Sequence, residues 1–87
     1  MDYIHSEFYL GTDDVVEVAL DKQANVILLD TSNYQSYRSR RSFEYFGGLA
    51  TESPVHLQPP HSGHWHLVID LGGGSGTLRH SVKVIKQ

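Results

Sequence analysis

Apolar and polar residues alternate over most of the chain, a pattern typical of β-strands that bury one face. Residues 3–10 and 16–20 follow this pattern, and the turn-like residues 11–14 between them predict a hairpin. Val26 to Leu29 form the longest uninterrupted apolar run. That run predicts a short central strand that is covered on both faces.

The middle of the chain is less regular. Residues 30–41 are polar and rich in Ser, which predicts a long loop or an irregular edge. Further on, Pro54, Pro59 and Pro60 flank a short apolar segment at residues 55–57. Because proline has no N–H to donate to a neighbouring strand, we expect this segment to be an edge strand or the start of a strand.

Two longer alternating segments, His64 to Leu71 and Thr77 to Ile85, end the chain. We expect them to pair as a hairpin across the glycine-rich residues 72–75. Together with the shorter segments, they give about seven or eight short strands at regular spacing. This spacing predicts an all-β fold, a compact antiparallel β-sandwich that forms a single domain over residues 1–87.

The predicted final hairpin assigns a direction to the aromatic and histidine side chains. In the register that brings both apolar faces to one core, Trp65 lies near Val82 and points inward. His64 and His66 then lie on the opposite face of their strand, in solvent. The same register turns His80 inward, as a core histidine.

The composition limits the classes of function. The chain has 87 residues, no cysteine and a formal net charge of −3. The lack of cysteine excludes disulfides and thiolate metal sites and suits a reducing cytoplasm. No apolar run approaches the roughly 20 residues that cross a bilayer, so we expect a cytoplasmic protein without membrane contact. The negative charge argues against broad attraction to nucleic acid.

A metal site is the first chemical alternative. His64 and His66 are two residues apart on a predicted strand and point the same way, as zinc ligands on strands do. His61 is the candidate third ligand, because His80 is expected to face the core. Since the predicted register fixes no third ligand, we predict no cofactor and no metal, and His61, His64 and His66 form the alternative metal set.

The sequence contains no motif that indicates catalysis. The glycine-rich run at residues 72–76 has the composition of a phosphate-binding loop, but a strand rather than a helix is predicted to follow it. The chain also lacks a nucleophile elbow of the form G-x-S-x-G. These observations favour a non-catalytic protein and leave enzymatic activity open.

An arginine- and tyrosine-rich segment is the second chemical alternative. Arg38, Arg40 and Arg41 follow Tyr34 and Tyr37 closely in the sequence. Arginine side chains bind phosphate or carboxylate groups, and aromatic rings stack on bases or sugars. A solvated loop whose tyrosines pack back onto the sandwich explains the same residues and is the favoured interpretation.

Nearly the whole chain resembles a known family. The stretches "VVEVAL", "NVILLDTSNYQSYRSRRSFEYFGGLATESPVHLQPPHSGHWHLVIDLGG" and "SVKVI" are similar to a small bacterial family, the domain of unknown function 1883. The resemblance implies a small all-β domain that occurs alone or joined to Toll/interleukin-receptor-like domains, with no established reaction. The family motifs fall here on Asp30, Ser32, Asn33, Tyr34, Tyr37, Tyr45, Gly47, Gly48, Leu49, Pro60, His61, Ser62, Gly63, His64, Trp65 and His66.

We therefore expect a non-catalytic binding or protein-interaction module of a bacterial cytosolic protein, with an unidentified protein or small ligand as its partner. Exposed sheet edges make self-association a further expectation. The alternatives are a metal-binding protein or small metalloenzyme, and a nucleic-acid or anion binder. The predicted ligand-binding residues are Tyr34, Tyr37, Arg38, Arg40, Arg41, His61, His64 and His66.

Overall fold

Two antiparallel β-sheets pack face to face in the computed structural model, which describes residues 3–71 and 78–86. The strands of the described residues are β1 (Tyr3–Leu10), β2 (Val15–Leu20), β3 (Ala24–Asp30), β4 (Phe46–Ala50), β5 (Val55–Leu57), β6 (Gly63–Asp70) and β7 (His80–Ile85), and a helix, α1 (Thr31–Arg38), follows β3. The four-stranded sheet has the order β1-β6-β3-β4, and the three-stranded sheet has the order β5-β2-β7. The predicted all-β sandwich is confirmed.

The main hydrophobic core lies between the two sheets. β6 contributes Trp65, Leu67 and Ile69 to it, and β2 contributes Val16 and Val18. Each of these five side chains is at most 2% exposed. Every second residue of β6 points to this core, as the alternation predicts. The prediction that Trp65 points inward is therefore confirmed.

A smaller apolar cluster lies on the other face of the four-stranded sheet, under α1. It consists of Ile27 and Leu29 of β3, Val68 of β6 and Tyr34 of α1. Leu28 points the other way from Leu29, and both are fully buried. The predicted central strand is thus confirmed, because the helix covers the face of β3 that the second sheet does not.

Residues 31–38 form a helix, so the predicted loop over residues 30–41 is wrong for this stretch. The low helix propensity of Ser and Asn explains why the composition alone indicates a loop. The helix begins at a cap, since a side-chain oxygen of Asp30 accepts a hydrogen bond from the Asn33 backbone N–H at 2.8 Å. Tyr34 then packs against the sheet and supplies the tertiary contact that a short helix needs.

A Schellman motif ends the helix. The Arg41 N–H donates to the Ser36 carbonyl at 2.9 Å, and the Arg40 N–H donates to the Tyr37 carbonyl at 3.3 Å. Arg40 has the left-handed conformation that this motif requires, with a φ of 60°. Arg38, Arg40 and Arg41 are exposed around this helix end. Within the described residues, no helix has the length and apolar character that a membrane span requires.

Both predicted hairpins are wrong. β1 pairs with β6, whereas β2 pairs with β5 and β7 in the other sheet. β7 does not pair with β6, and the partner of Val82 is Val18 rather than Trp65. Alternation shows which face of a strand is apolar but not which strand lies beside it, because two such strands can also stack in opposite layers. The predicted hairpin loop at residues 72–75 lies outside the described residues.

The edges of the three-stranded sheet are β5 and β7. The edge position of β5 confirms the prediction made from the prolines. At the other edge His80 is exposed, so the prediction of a core histidine is wrong. His80 is the first residue of β7 and pairs with Leu20, the last residue of β2, so it lies where the sheet ends and the core no longer covers it.

The backbone of β4 requires glycine at one position. Gly47 has a φ of 111°, and a Cβ there would overlap the Val26 carbonyl oxygen of β3.

We expect Gly47→Ala to lower the free energy of unfolding by about 2–4 kcal/mol. The control is Gly48→Ala, because Gly48 has a φ of 147° but no atom within 4 Å of its Cβ position. We expect the control to cost about 1–2 kcal/mol. Urea unfolding measures both variants, and equal losses would contradict the steric explanation.

Candidate functional site

The outer face of the four-stranded sheet, away from the second sheet, presents polar and aromatic side chains. β1 contributes His5 and Glu7 at alternate positions, and β6 contributes His64 and His66. The register places Glu7 directly opposite His66, so imidazoles and a carboxylate are neighbours across two strands. We name these four residues the histidine cluster.

His5 and His66 are hydrogen-bonded to each other, and each has a second partner on its far ring nitrogen. His5 Nε2 lies 2.8 Å from His66 Nδ1. The Tyr34 hydroxyl lies 3.2 Å from His5 Nδ1, and the Thr31 hydroxyl lies 3.1 Å from His66 Nε2. Two arrangements of protons satisfy all three bonds: either Tyr34 donates to His5, His5 to His66 and His66 to Thr31, or all three donations run the other way.

Tyr34 holds the two imidazoles parallel. Its ring centroid lies 4.2 Å from that of His5 and 4.4 Å from that of His66, with interplanar angles of 13° and 7°. Burial raises the pKa of Tyr34 to about 12, and the hydrogen bond with Tyr3 adds to this effect. The hydroxyl therefore keeps its proton at neutral pH. The structure places Tyr34, a predicted ligand contact, as a buried support of the cluster.

His66 is only 4% exposed, so the prediction that both strand histidines lie in solvent is wrong for His66. The alternation correctly assigns it to the outer face, but Tyr34 covers that face at this point. Burial lowers the pKa of His66, and His64 lowers it further. Glu7 raises this pKa, His5 lowers it and Asp30 raises it, in decreasing order of size. The net lowering leaves the His66 ring neutral at pH 7.

Three potential metal-ligand atoms converge in the histidine cluster. One nitrogen each of His5 and His66 and one carboxylate oxygen of Glu7 all lie within 4.8 Å of one another. Among the described residues, the structure brings together no other group of three or more such side chains. His64 is adjacent, with its Nε2 3.2 Å from Glu7 Oε1.

The alternative metal set of the sequence analysis is brought together only in part. The rings of His64 and His66 lie 4.8 Å apart. The His61 ring lies instead against Trp65, at a centroid distance of 4.9 Å, and Trp65 points to the opposite face of β6. The potential ligands beside His64 and His66 come from β1, and not from the segment that precedes β6 in the sequence.

His5 and Glu7 are not among the site residues predicted from the sequence. Both occupy alternate positions of β1, so their common face was available from the sequence. What the sequence did not supply was the pairing of β1 with β6, two strands separated by most of the chain. The predicted hairpin of β6 and β7 does not place β1 beside β6.

A groove of about 440 Å³ lies on the same face of the sheet, towards β4. Its lining includes Tyr37, Phe43, Tyr45, Leu49 and Asp70. The Tyr37 hydroxyl donates to Asp70 Oδ2 at 3.2 Å. Burial raises the pKa of Tyr37 to about 12, and the Asp70 carboxylate adds to this effect. Tyr37, a predicted ligand contact, therefore lies in an open groove and stays protonated.

The predicted arginine contacts lie at the end of α1. The Arg38 guanidinium is 5.9 Å from the centre of the Tyr34 ring, a cation–π distance. Arg40 and Arg41 are exposed beyond the last helical turn. Their role in ligand binding stays a prediction.

The comparisons with known proteins identify the family. A family model described as "Domain of unknown function (DUF1883)" matches residues 1–87. The chain belongs to this family. The resemblance seen in the sequence is thereby confirmed, and the family description assigns a DUF1883 domain no activity. No curated protein and no solved structure matches the chain.

The buried imidazole makes the stability of this DUF1883 domain depend on pH. The pKa of His66 is lower in the folded protein than in the unfolded chain, so the unfolded chain binds more protons below about pH 6.5. Stability is therefore fully present above that pH and falls as the pH is lowered. One proton accounts for at most about 1.4 kcal/mol per pH unit.

We expect His66→Gln to reduce this slope. Urea unfolding between pH 5 and pH 8, with a chelator present, measures it. The control is His80→Gln, because His80 is exposed and belongs to the other sheet. The control should keep the wild-type slope. A wild-type slope in His66→Gln would show that this ring does not titrate as described.

Proposed function

We propose that the domain is a non-catalytic protein-interaction module, and that its interaction edge is β4, which pairs with β4 of a second copy. The observation that supports this proposal is the uncharged, apolar composition of an exposed edge strand. Such an edge offers unpaired backbone groups and no side chain that opposes pairing.

The edges of the two sheets differ in how they are protected. β1 has His5 and Glu7 on its outer face, and β7 has Lys83. β5 has only three residues and directly follows Pro54. Charges, prolines and short lengths are the features that prevent edge strands from pairing with other chains. β4, with the sequence FGGLA, has no charged residue and no proline.

Large apolar side chains are exposed at this edge. Leu49 is 60% exposed, Tyr45 is 48% exposed and Phe46 is 44% exposed. Leu49 and Tyr45 also line the groove next to β4. A group of exposed apolar side chains beside an open strand edge is typical of a protein-interaction surface.

A second copy matches this edge in charge and symmetry. Two identical strands that pair antiparallel are related by a two-fold axis, which is the commonest symmetry of oligomers. The uncharged β4 meets no like charge in its copy. Gly48 presents no side chain and has open space at its Cβ position, so another backbone can approach closely there. We place the module in the reducing cytoplasm of a bacterium, a compartment that suits a chain without cysteine.

Sedimentation equilibrium over a range of protein concentrations tests the proposal. We expect a reversible equilibrium between monomer and dimer for the wild-type protein. Leu49→Lys should raise the dissociation constant of the dimer at least about tenfold, or about 1.4 kcal/mol, because it places an unpaired charge at the new interface.

Tyr9→Lys is the matched control. Tyr9 is 76% exposed on β1, at the other edge of the same sheet, and the substitution changes the net charge by the same amount. It should leave the dissociation constant unchanged. A wild-type protein that remains monomeric at every concentration, or equal effects of the two substitutions, would contradict the proposal.

A further inference from the structure

We propose that His5, Glu7 and His66 form a binding site for a zinc ion. This inference goes beyond the proposed function, because the site lies between β1 and β6 and the proposed interaction edge is β4. It also differs from the metal set that the sequence indicates, with which it shares only His66.

The distances between the ligand atoms are close to those of a zinc site. Bonds of about 2.0–2.2 Å from a tetrahedral ion to nitrogen and oxygen separate neighbouring ligand atoms by roughly 3.3 Å. His5 Nε2 and His66 Nδ1 are 2.8 Å apart, and Glu7 Oε1 is 3.7 Å from His66 Nδ1. Changes of about half an ångström, within the reach of side-chain rotation, bring both of these distances to the required separation.

The far nitrogens of both imidazoles are already held. Imidazole ligands of metals almost always hydrogen-bond through the nitrogen that does not bind the ion, which fixes the ring orientation. Here the Tyr34 hydroxyl lies 3.2 Å from His5 Nδ1, and the Thr31 hydroxyl lies 3.1 Å from His66 Nε2. Stacking on Tyr34 also keeps both rings nearly parallel. This support from residues outside the ligand set also favours a metal site.

Zinc binding requires one proton to move. While His5 donates to His66, its Nε2 carries a proton and has no lone pair for a metal. In the zinc complex the proton of His5 must be on Nδ1, where the Tyr34 oxygen accepts it and the Tyr34 hydroxyl turns to Tyr3, 3.2 Å away. The proton moves from Nε2 to Nδ1 of the same ring, which is a change of tautomer.

The ligand set also selects the class of metal. Two imidazoles and one carboxylate suit zinc and similar transition-metal ions, whereas calcium and magnesium require mainly oxygen ligands. The Glu7 carboxylate supplies negative charge beside the ion, and the exposed positions of His5 and Glu7 give it access from solvent. His64 Nε2, 3.2 Å from Glu7 Oε1, is within reach as a fourth ligand, and otherwise water completes the shell.

Isothermal titration of the metal-free protein with Zn²⁺ tests the site. We expect one ion per chain. His5→Ala and Glu7→Gln each replace an exposed side chain, so both variants should fold, and each should weaken binding by at least about tenfold. Thr31→Val should weaken it by a smaller factor, and Thr31→Ser should restore it. Cobalt(II) absorption spectra report the coordination geometry independently of affinity.

Two control variants separate the possible ligand sets. His80→Ala removes an exposed histidine of the other sheet and should leave zinc affinity unchanged. His61→Ala should also leave it unchanged, and a loss of binding in this variant would favour the set His61, His64 and His66 and overturn the proposal. In ¹⁵N-histidine NMR spectra, we expect the bound ion on His5 Nε2 and His66 Nδ1.

The absence of a one-to-one zinc complex would also overturn the proposal, as would unchanged affinity in both His5→Ala and Glu7→Gln. Leu49→Lys, which tests the interaction edge, should bind zinc like the wild-type protein. Failure of the zinc site and failure of the proposed dimer are therefore distinguishable.

Discussion

The antiparallel pairing of β1 with β6 is the contact on which the other features of the site depend. It joins the first strand of the chain to the sixth, and so places β6 at the centre of a sheet with strands on both sides. In this position the inner face of β6 holds Trp65 in the core. Its outer face presents His64 and His66 to the side chains of β1.

Helix α1 gives the outer face its chemical character. Without a cover, the imidazoles of a strand would be solvated and mobile. Tyr34 instead stacks on both His5 and His66, and Thr31 hydrogen-bonds the second ring. The helix in turn depends on the Asp30 cap, because a short segment rich in Ser and Asn is a weak helix former by itself. A local hydrogen bond from the backbone to the Asp30 side chain is thus coupled to the orientation of side chains from two distant strands.

The sequence shows which face of each strand is apolar, but it does not show which strands lie side by side in a sheet. Period-two alternation correctly assigns Trp65 to the core, and the flanking prolines correctly assign β5 to an edge. Alternation does not distinguish two strands that pair in one sheet from two strands that stack in opposite sheets. Both hairpin predictions are wrong for this reason. The helix escaped prediction because capping and tertiary packing outweigh the low propensity of its residues.

The same limit applies to the candidate site. The H-x-H pair is visible in the sequence, but His5 is separated from His66 by 61 positions and joins it only through the sheet. Burial of His66 depends on a helix that the composition does not suggest. A site built across strands distant in sequence is accessible once the topology is known, and its residues are then evident from the alternation within each strand.

Cross-strand NOEs between backbone Hα protons test the pairing of β1 with β6 most directly. We expect NOEs between residues 3–10 and residues 63–70 in the register that places Glu7 opposite His66. NOEs between residues 63–70 and residues 80–85, as in a hairpin of the last two strands, would contradict it.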